Sequence, residues 1–294
     1  HQLKGFDIAA ERGGKVIALT LPDTFRIRLN FKSGFILDIL NGWDELMALP
    51  DDVKLTMMRD PKGREEMNRL AQSTQGPTRS IGNWGAYILL ETFTDKWQKY
   101  AGRLIGDIAK ELKVEPWDLL IDIVIDDNLR TVIANQDKGQ DTATWKRRVE
   151  VWRDERAIVG ASDAGAHLDM IDSFAFSTTL IARAVRDEKL MELEEAVYHL
   201  TEQPARLYGL RNRGRIEVGY CADVVVLDPL TVGPGPVYTK FDMPAGAGRV
   251  YGEAEGINHV LINGVEAVRN GEILTSRPGT LLRSGRDTDT VTAR

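Results

Sequence analysis

The sequence predicts an α/β protein: a parallel sheet or barrel followed by a small β module. Two observations carry that prediction. Up to about residue 210, short apolar segments alternate with longer helical ones, the pattern of parallel strands joined by helices. From Arg213 the texture changes to short β-branched runs, with Gly219, Asn263-Gly264 and Asn270-Gly271 between them. Asn-Gly between apolar runs is a strong hairpin signal, because both residues tolerate positive φ.

Taken in order, Ile8–Arg12 reads as the end of a helix stopped by Gly13-Gly14. Lys15–Leu21 reads as a buried strand closed by Pro22. A loop-rich stretch with Phe25, Phe31, Phe35 and Trp43 runs to Pro50, and Leu55–Ala71 is a charged amphipathic helix around Pro61. Trp84–Thr92 reads as a second buried strand. Leu104–Leu112, Pro116–Ile125 and Thr144–Glu155 are helices, with Pro116 suited to a first turn. Ala157–Gly160 is a short strand, followed by helices near Ser177–Asp187 and Leu193–Leu200. In the β module, Gly214–Ile216, Asp223–Leu227, His259–Ile262 and Glu266–Val268 are strands, and the tail from Ser284 is polar.

Composition narrows the function classes. The chain has 294 residues, 43% hydrophobic and 28% charged, an ordinary globular profile. No apolar run is long enough for a membrane helix, and a net charge of -6 with scattered basic residues argues against nucleic acid. Lys146-Arg147-Arg148 reads as a solvated helix face. His1-Gln2-Leu3-Lys4-Gly5 has no apolar core of a signal peptide and, lacking Met, reads as a processed, truncated or tag-derived start. The single cysteine, Cys221, excludes an internal disulfide, reads as a packing residue and fits a reducing, cytoplasmic setting.

The chemistry centres on Asp163. It follows a short apolar strand and is surrounded by Gly160, Ala161, Ser162, Ala164, Gly165 and Ala166, which let a ligand approach closely. A carboxylate at the C-terminal end of a parallel strand can bind a metal or act as a general base, or it can simply cap the next helix. His167, four residues on, reads as a ligand, a proton shuttle or a loop histidine. His199 and His259 read as structural. No His-x-His, His-Glu-x-x-His, Cys-x-x-Cys or phosphate-loop motif is present, so a complete zinc site of familiar type is absent.

The run Gly160-Ala161-Ser162-Asp163-Ala164-Gly165-Ala166-His167-Leu168 resembles the last barrel strand of the amidohydrolase superfamily, in the branch with N-acyl-D-amino-acid deacylases. The resemblance continues through Thr201…Pro204-Ala205, Gly219…Ala222-Asp223 and Asn263-Gly264. It is close over residues 157–283 and fainter before, where Gly102-Arg103 and Pro116-Trp117-Asp118-Leu119-Leu120 match. It implies the C-terminal half of a (β/α)8 barrel over residues 1–210, part of a small β-sandwich over 211–283, and a polar tail over 284–294.

The resemblance also implies a zinc-dependent hydrolase, with one or two divalent ions, cutting amide C–N bonds of N-acyl or related small molecules. Asp163 matches the aspartate that takes the proton of a metal-activated water. His167 and Ser162 are implied at the substrate, and His1 stands where a further metal-ligating histidine is expected. Three departures accompany it. The His-x-His strand is missing, and Lys15–Leu21 ends in Pro22-Asp23 without the branch's tyrosine or histidine cluster. The arginine that branch members place about eleven residues after the aspartate is Phe174 here, which argues against an N-acyl-D-amino acid. Alternatives are a homologue that has lost catalysis and serves binding or assembly, or one half of a split enzyme. The open edges of a half barrel predict a homo-oligomer, or pairing with an absent N-terminal segment.

Overall fold

A computed structural model describes residues 3–24 and 26–289. Phe25 and the last five residues of the expected polar tail lie outside the described residues. The strands are β1 (Ala18–Thr20), β2 (Arg28–Leu29), β3 (Tyr87–Glu91), β4 (Val132–Asn135) and β5 (Ala157–Val159). The remainder are β6 (Val224–Leu227), β7 (Gly233–Lys240), β8 (Arg249–Glu255), β9 (Ile257–Ile262), β10 (Val265–Arg269) and β11 (Glu272–Ile273). The chain divides into two compact units: Arg26–Asp137, and His1–Phe25 together with Lys138–Arg294.

The Arg26–Asp137 unit is a helical layer with an antiparallel sheet of order β2-β4-β3. The single helix expected around Pro61 is two helices, Asp51–Arg59 and Pro61–Ser73. Proline has no N–H to donate, so it starts a helix rather than continuing one, and the Asp60 side chain caps the new start by accepting from the Gly63 N–H at 3.0 Å. The expected strand at Trp84–Thr92 narrows to β3, with Trp84 in a preceding 3-10 turn. That turn places Trp84 against Trp43 (5.5 Å between ring centroids) and Trp117 (5.0 Å). All three rings are buried, and their N–H groups are satisfied by Met67 O, Asn68 Oδ1 and Arg64 O.

The second unit holds the one parallel pair among the described residues. β1 and β5 pair in register Ala18↔Ala157, Leu19↔Ile158 and Thr20↔Val159. Helix Thr142–Trp152, capped by the Asp141 side chain, leads the chain back to β5. It packs Trp145 and Trp152 edge to face, 6.2 Å apart, in a core with Val159, Leu180, Ile181 and Val232. β1 is not the buried strand expected over Lys15–Leu21. It is three residues long, and Val16 and Leu19 are about half exposed, because among the described residues only β5 pairs with it.

The β module is a four-stranded antiparallel sheet of order β11-β10-β9-β6. Its hairpins turn at Asn263-Gly264 (φ 50 and 78) and Asn270-Gly271 (φ 48 and 82), the positive angles that Asn-Gly accepts. Gly214–Ile216, expected as a strand, is irregular, and Ile216 is 88% exposed. A second antiparallel pair, β7 with β8, was not legible in the sequence. Thr288 bridges to Leu210, and Asp289 accepts from Arg211, so the start of the tail is tied down.

Candidate active site

β1 and β5 run parallel, so the segments leaving their C-terminal ends emerge at the same end of the pair. Thr20 fixes both exits. Its carbonyl accepts from the Gly160 N–H at 3.1 Å, and its hydroxyl donates to Ile158 O at 2.8 Å. The Trp152 indole in turn donates to that hydroxyl at 2.9 Å. Asp163 follows three residues after Gly160, beyond the C-terminal end of β5.

The loop around Asp163 is built from turns. Ala166 N–H reaches Asp163 O at 3.4 Å, closing a turn whose third residue needs positive φ, and Gly165 supplies it at 96°. Asp163 itself has φ 54 and His167 φ 52, a region that side chains other than Asn, Asp and His rarely occupy. Each such residue stores on the order of 1 kcal/mol or more and persists only where the surroundings hold it. His167 O accepts from Met170 at 2.9 Å and from Ile171 at 3.3 Å, closing a second turn.

The sequence-predicted residues therefore share one loop. Asp163 and His167 are exposed, and Ser162 is half-buried with its hydroxyl accepting from the Ala164 N–H at 3.3 Å. Asp163 has no side-chain partner among the described residues. His1 lies outside the described residues. His199 is buried with Nδ1 2.8 Å from Gln203 Oε1, and His259 is 2.6 Å from Glu266 Oε1 across the β9–β10 hairpin, so both are engaged in the scaffold.

Sequence reasoning missed several neighbours. Ser173 is buried, and its hydroxyl donates to Ser162 O. The Val250 N–H of β8 donates to Leu168 O at 2.7 Å. Phe174, at the arginine position of the resemblance, packs against Gly252 of the same strand, where an added Cβ would stand 3.3 Å from the ring. Past β1, Gln140 donates to Asp23 Oδ1 at 2.7 Å and Arg148 to the Thr24 hydroxyl at 3.1 Å. Arg148 lies 4.8 Å from the centre of the Trp145 ring, and burial draws its pKa below the usual arginine value. The basic cluster expected to be solvated thus has one member turned inward. The contacts of Gln140 with Asp23, Arg148 with Thr24, Val250 with Leu168 and Phe174 with Gly252 link positions far apart in sequence, and no local pattern signals them.

Does this donor set fit a metal? Among the described residues no three His, Cys, Asp or Glu side chains gather closely enough to hold an ion. Asp163 and His167 are at most part of a set, and zinc binding by these residues alone does not fit the geometry. Two large cavities lie elsewhere. One of about 680 Å3 in the Arg26–Asp137 unit is floored by Trp84 and Trp117, and one of about 590 Å3 in the other unit lies between Tyr198, Ile216 and Val225. Neither includes Asp163.

Comparison with known proteins closes the description. The amidohydrolase family matches residues 86–267. The N-acyl-D-glutamate deacylase of Alcaligenes xylosoxydans xylosoxydans is 39% identical over 137 residues, 45% of this chain and 25% of that protein. The N-acyl-D-aspartate deacylase of the same organism is 32% identical over 108 residues, 37% of this chain and 20% of that one. The chain therefore spans about a quarter or less of the length of these relatives. The crystal structure of the Bordetella bronchiseptica N-acyl-D-glutamate deacylase, complexed with zinc and a phosphonate inhibitor, is 24% identical. Its TM-score is 0.38 over 65% of this chain and 38% of that one, and at that level the likeness adds nothing to the assignment. The family match covers more than half of the chain, from β3 through the Asp163 loop to β10, and on that ground the chain belongs to the amidohydrolase family.

Proposed function

We propose that the protein carrying this chain is a hydrolase of amide-type C–N bonds, with N-acyl amino acids or related small amides as substrates and Asp163 as its general base. The observation that carries the reading is the placement of Asp163: a carboxylate just past a parallel strand, in an open loop of small residues. Amide hydrolysis needs a proton removed from the attacking water and a proton delivered to the leaving nitrogen. One carboxylate free of competing partners performs both in turn, and such general catalysis is worth about 10²–10⁴-fold. His167 and Ser162, on either side of the turn, are proposed at the substrate. Zinc and His1 remain part of the proposal for the complete protein. No step here runs through a metal, because the described donors do not form a site.

In the same reading, residues 1–210 contribute strands and helices to a (β/α)8 barrel, with Arg26–Asp137 as a unit inserted after β1. Residues 211–283 contribute to a β-sandwich, and 284–294 end the chain. Release of free amino acid from a panel of N-acetylated amino acids, followed by amine-reactive dye with zinc supplied, tests the function. Turnover of at least one member is expected. Absence of turnover across acidic, basic and apolar members would overturn the proposal and favour a homologue kept for binding.

A further inference from the structure

We propose that Ser173 and the backbone amide of Val250 are positioning groups for Asp163, clasping its loop from both sides. The catalytic consequence rests on the hydrolase reading above; the clasp itself does not.

The Asp163 carboxylate has no side-chain partner among the described residues, so its direction is set by the backbone that carries it. That backbone is in a costly conformation at Asp163 and again at His167. The bonds from Ala164 to Ser162, from Ala166 to Asp163 and from Met170 and Ile171 to His167 close local turns, which fix shape but not location. Two ties reach the loop from downstream elements. On the N-terminal side, the buried Ser173 hydroxyl donates to the carbonyl of Ser162, the residue directly before Asp163. On the C-terminal side, the Val250 N–H donates to Leu168 O, directly after His167. The two non-glycine residues at positive φ lie between the ties.

The second tie is itself anchored. Val250 pairs with Thr239 in the β7–β8 hairpin, yet its N–H points away from β7 and into the loop. At the base of the hairpin Val232 is fully buried, and Arg186 Nη1 donates to its carbonyl at 2.6 Å. Midway along, the Phe174 ring fills the space left by the missing side chain of Gly252. Phe174 and Ser173 are adjacent in the chain. One short 3-10 turn, Ser173–Ala175, therefore holds the loop by its serine and the hairpin by its phenylalanine.

The test compares Ser173→Ala, Ser173→Thr and Val250→Pro with the unmodified protein. Proline at 250 removes the N–H that reaches the loop and leaves the bonds to β7 intact, as proline is tolerated at strand edges. The first readout is amide hydrogen exchange. In Ser173→Ala and Val250→Pro, exchange over residues 161–170 is expected to quicken at least about tenfold, with β9 and β10 unchanged, while Ser173→Thr stays near the parent. The second readout is kinetic: kcat for an N-acyl amino acid falls about 10- to 100-fold in the same two variants while KM holds, as misplacement of a reacting group predicts. Unchanged exchange over 161–170 in both variants would overturn the clasp, and a Ser173→Ala enzyme with parental kcat would overturn its positioning of Asp163. A parent protein without turnover, but with the expected exchange changes, would sink the hydrolase reading and leave the clasp standing.

Discussion

The two compact units solve the burial problem differently. Arg26–Asp137 closes on itself. Trp43, Trp84 and Trp117 form one buried aromatic cluster, and its most exposed large apolar side chain, Ile39, is 52% exposed. In the other unit several exposed apolar residues lie on strands or just before them: Val16 and Leu19 at β1, Ile216 and Val218 before β6, and Val225 and Val226 on β6 itself. β6 is also the edge of its sheet, with one flank of backbone groups unpaired by any described strand. A row of β-branched residues on an open edge is what proteins ordinarily cover. The self-contained unit carries no candidate chemistry, whereas the open one carries Asp163. Within this chain, completeness of packing and location of the site are separate properties.

Four measurements break or sharpen that contrast. The largest effect is expected from Trp43→Ala, which removes a fully buried ring and costs about 3–5 kcal/mol in denaturant unfolding monitored by tryptophan fluorescence. A loss under about 1 kcal/mol would mean the cluster is not a core. Next, Val225→Lys on the open edge is expected to shift the chain from oligomer toward monomer in light scattering, because edge lysines oppose strand addition. A parent that is already monomeric would contradict the reading of β6.

The third contrast is in pH. Burial pushes the Tyr87 hydroxyl in the closed unit up to about 12. A raised value gives stability that is full below the unfolded value of about 10 and is lost as pH rises through about 12. In the open unit, Arg269 first and His259 second hold Glu266 at about 2. A lowered value gives stability present above about 4.3 and lost as pH falls through about 2. In an alkaline titration by ultraviolet absorbance at 295 nm, the step near pH 12 should therefore report Tyr87 in the closed unit, and acid titration by NMR of the Glu266 carboxyl the open one. The smallest effect is Val226→Ala, a partly exposed strand position, at within about 0.5 kcal/mol in thermal unfolding.

Legibility in the sequence followed the same divide between local and distant causes. Helices Ile105–Leu112, Pro116–Asp126 and Leu193–Leu200 and both Asn-Gly hairpins fall where periodicity and turn chemistry place them. The strand before Asp163 does too, because apolar β-branched residues followed by small ones are a local signal. What failed needed partners. Lys15–Leu21 looks buried by composition, but burial depends on neighbouring strands, and among the described residues only β5 is beside it. The antiparallel sheet β2-β4-β3 pairs β2 with a strand about a hundred residues on and β3 with one about forty-five residues on, and β7 carries Pro234, Gly235 and Pro236, residue types that strands ordinarily avoid. For the candidate site, Asp163, His167 and Ser162 stand in one sequence run, whereas Ser173 and Val250 reach the loop through a hydroxyl and a backbone N–H that no motif marks.

The most direct test of the account is the turnover of an N-acyl amino acid by Asp163→Asn, a near-isosteric change at an exposed position. The account predicts a fall in kcat of about 10²–10⁴-fold with an unchanged melting temperature. A variant that keeps the parental rate would contradict it and remove Asp163 from the chemistry.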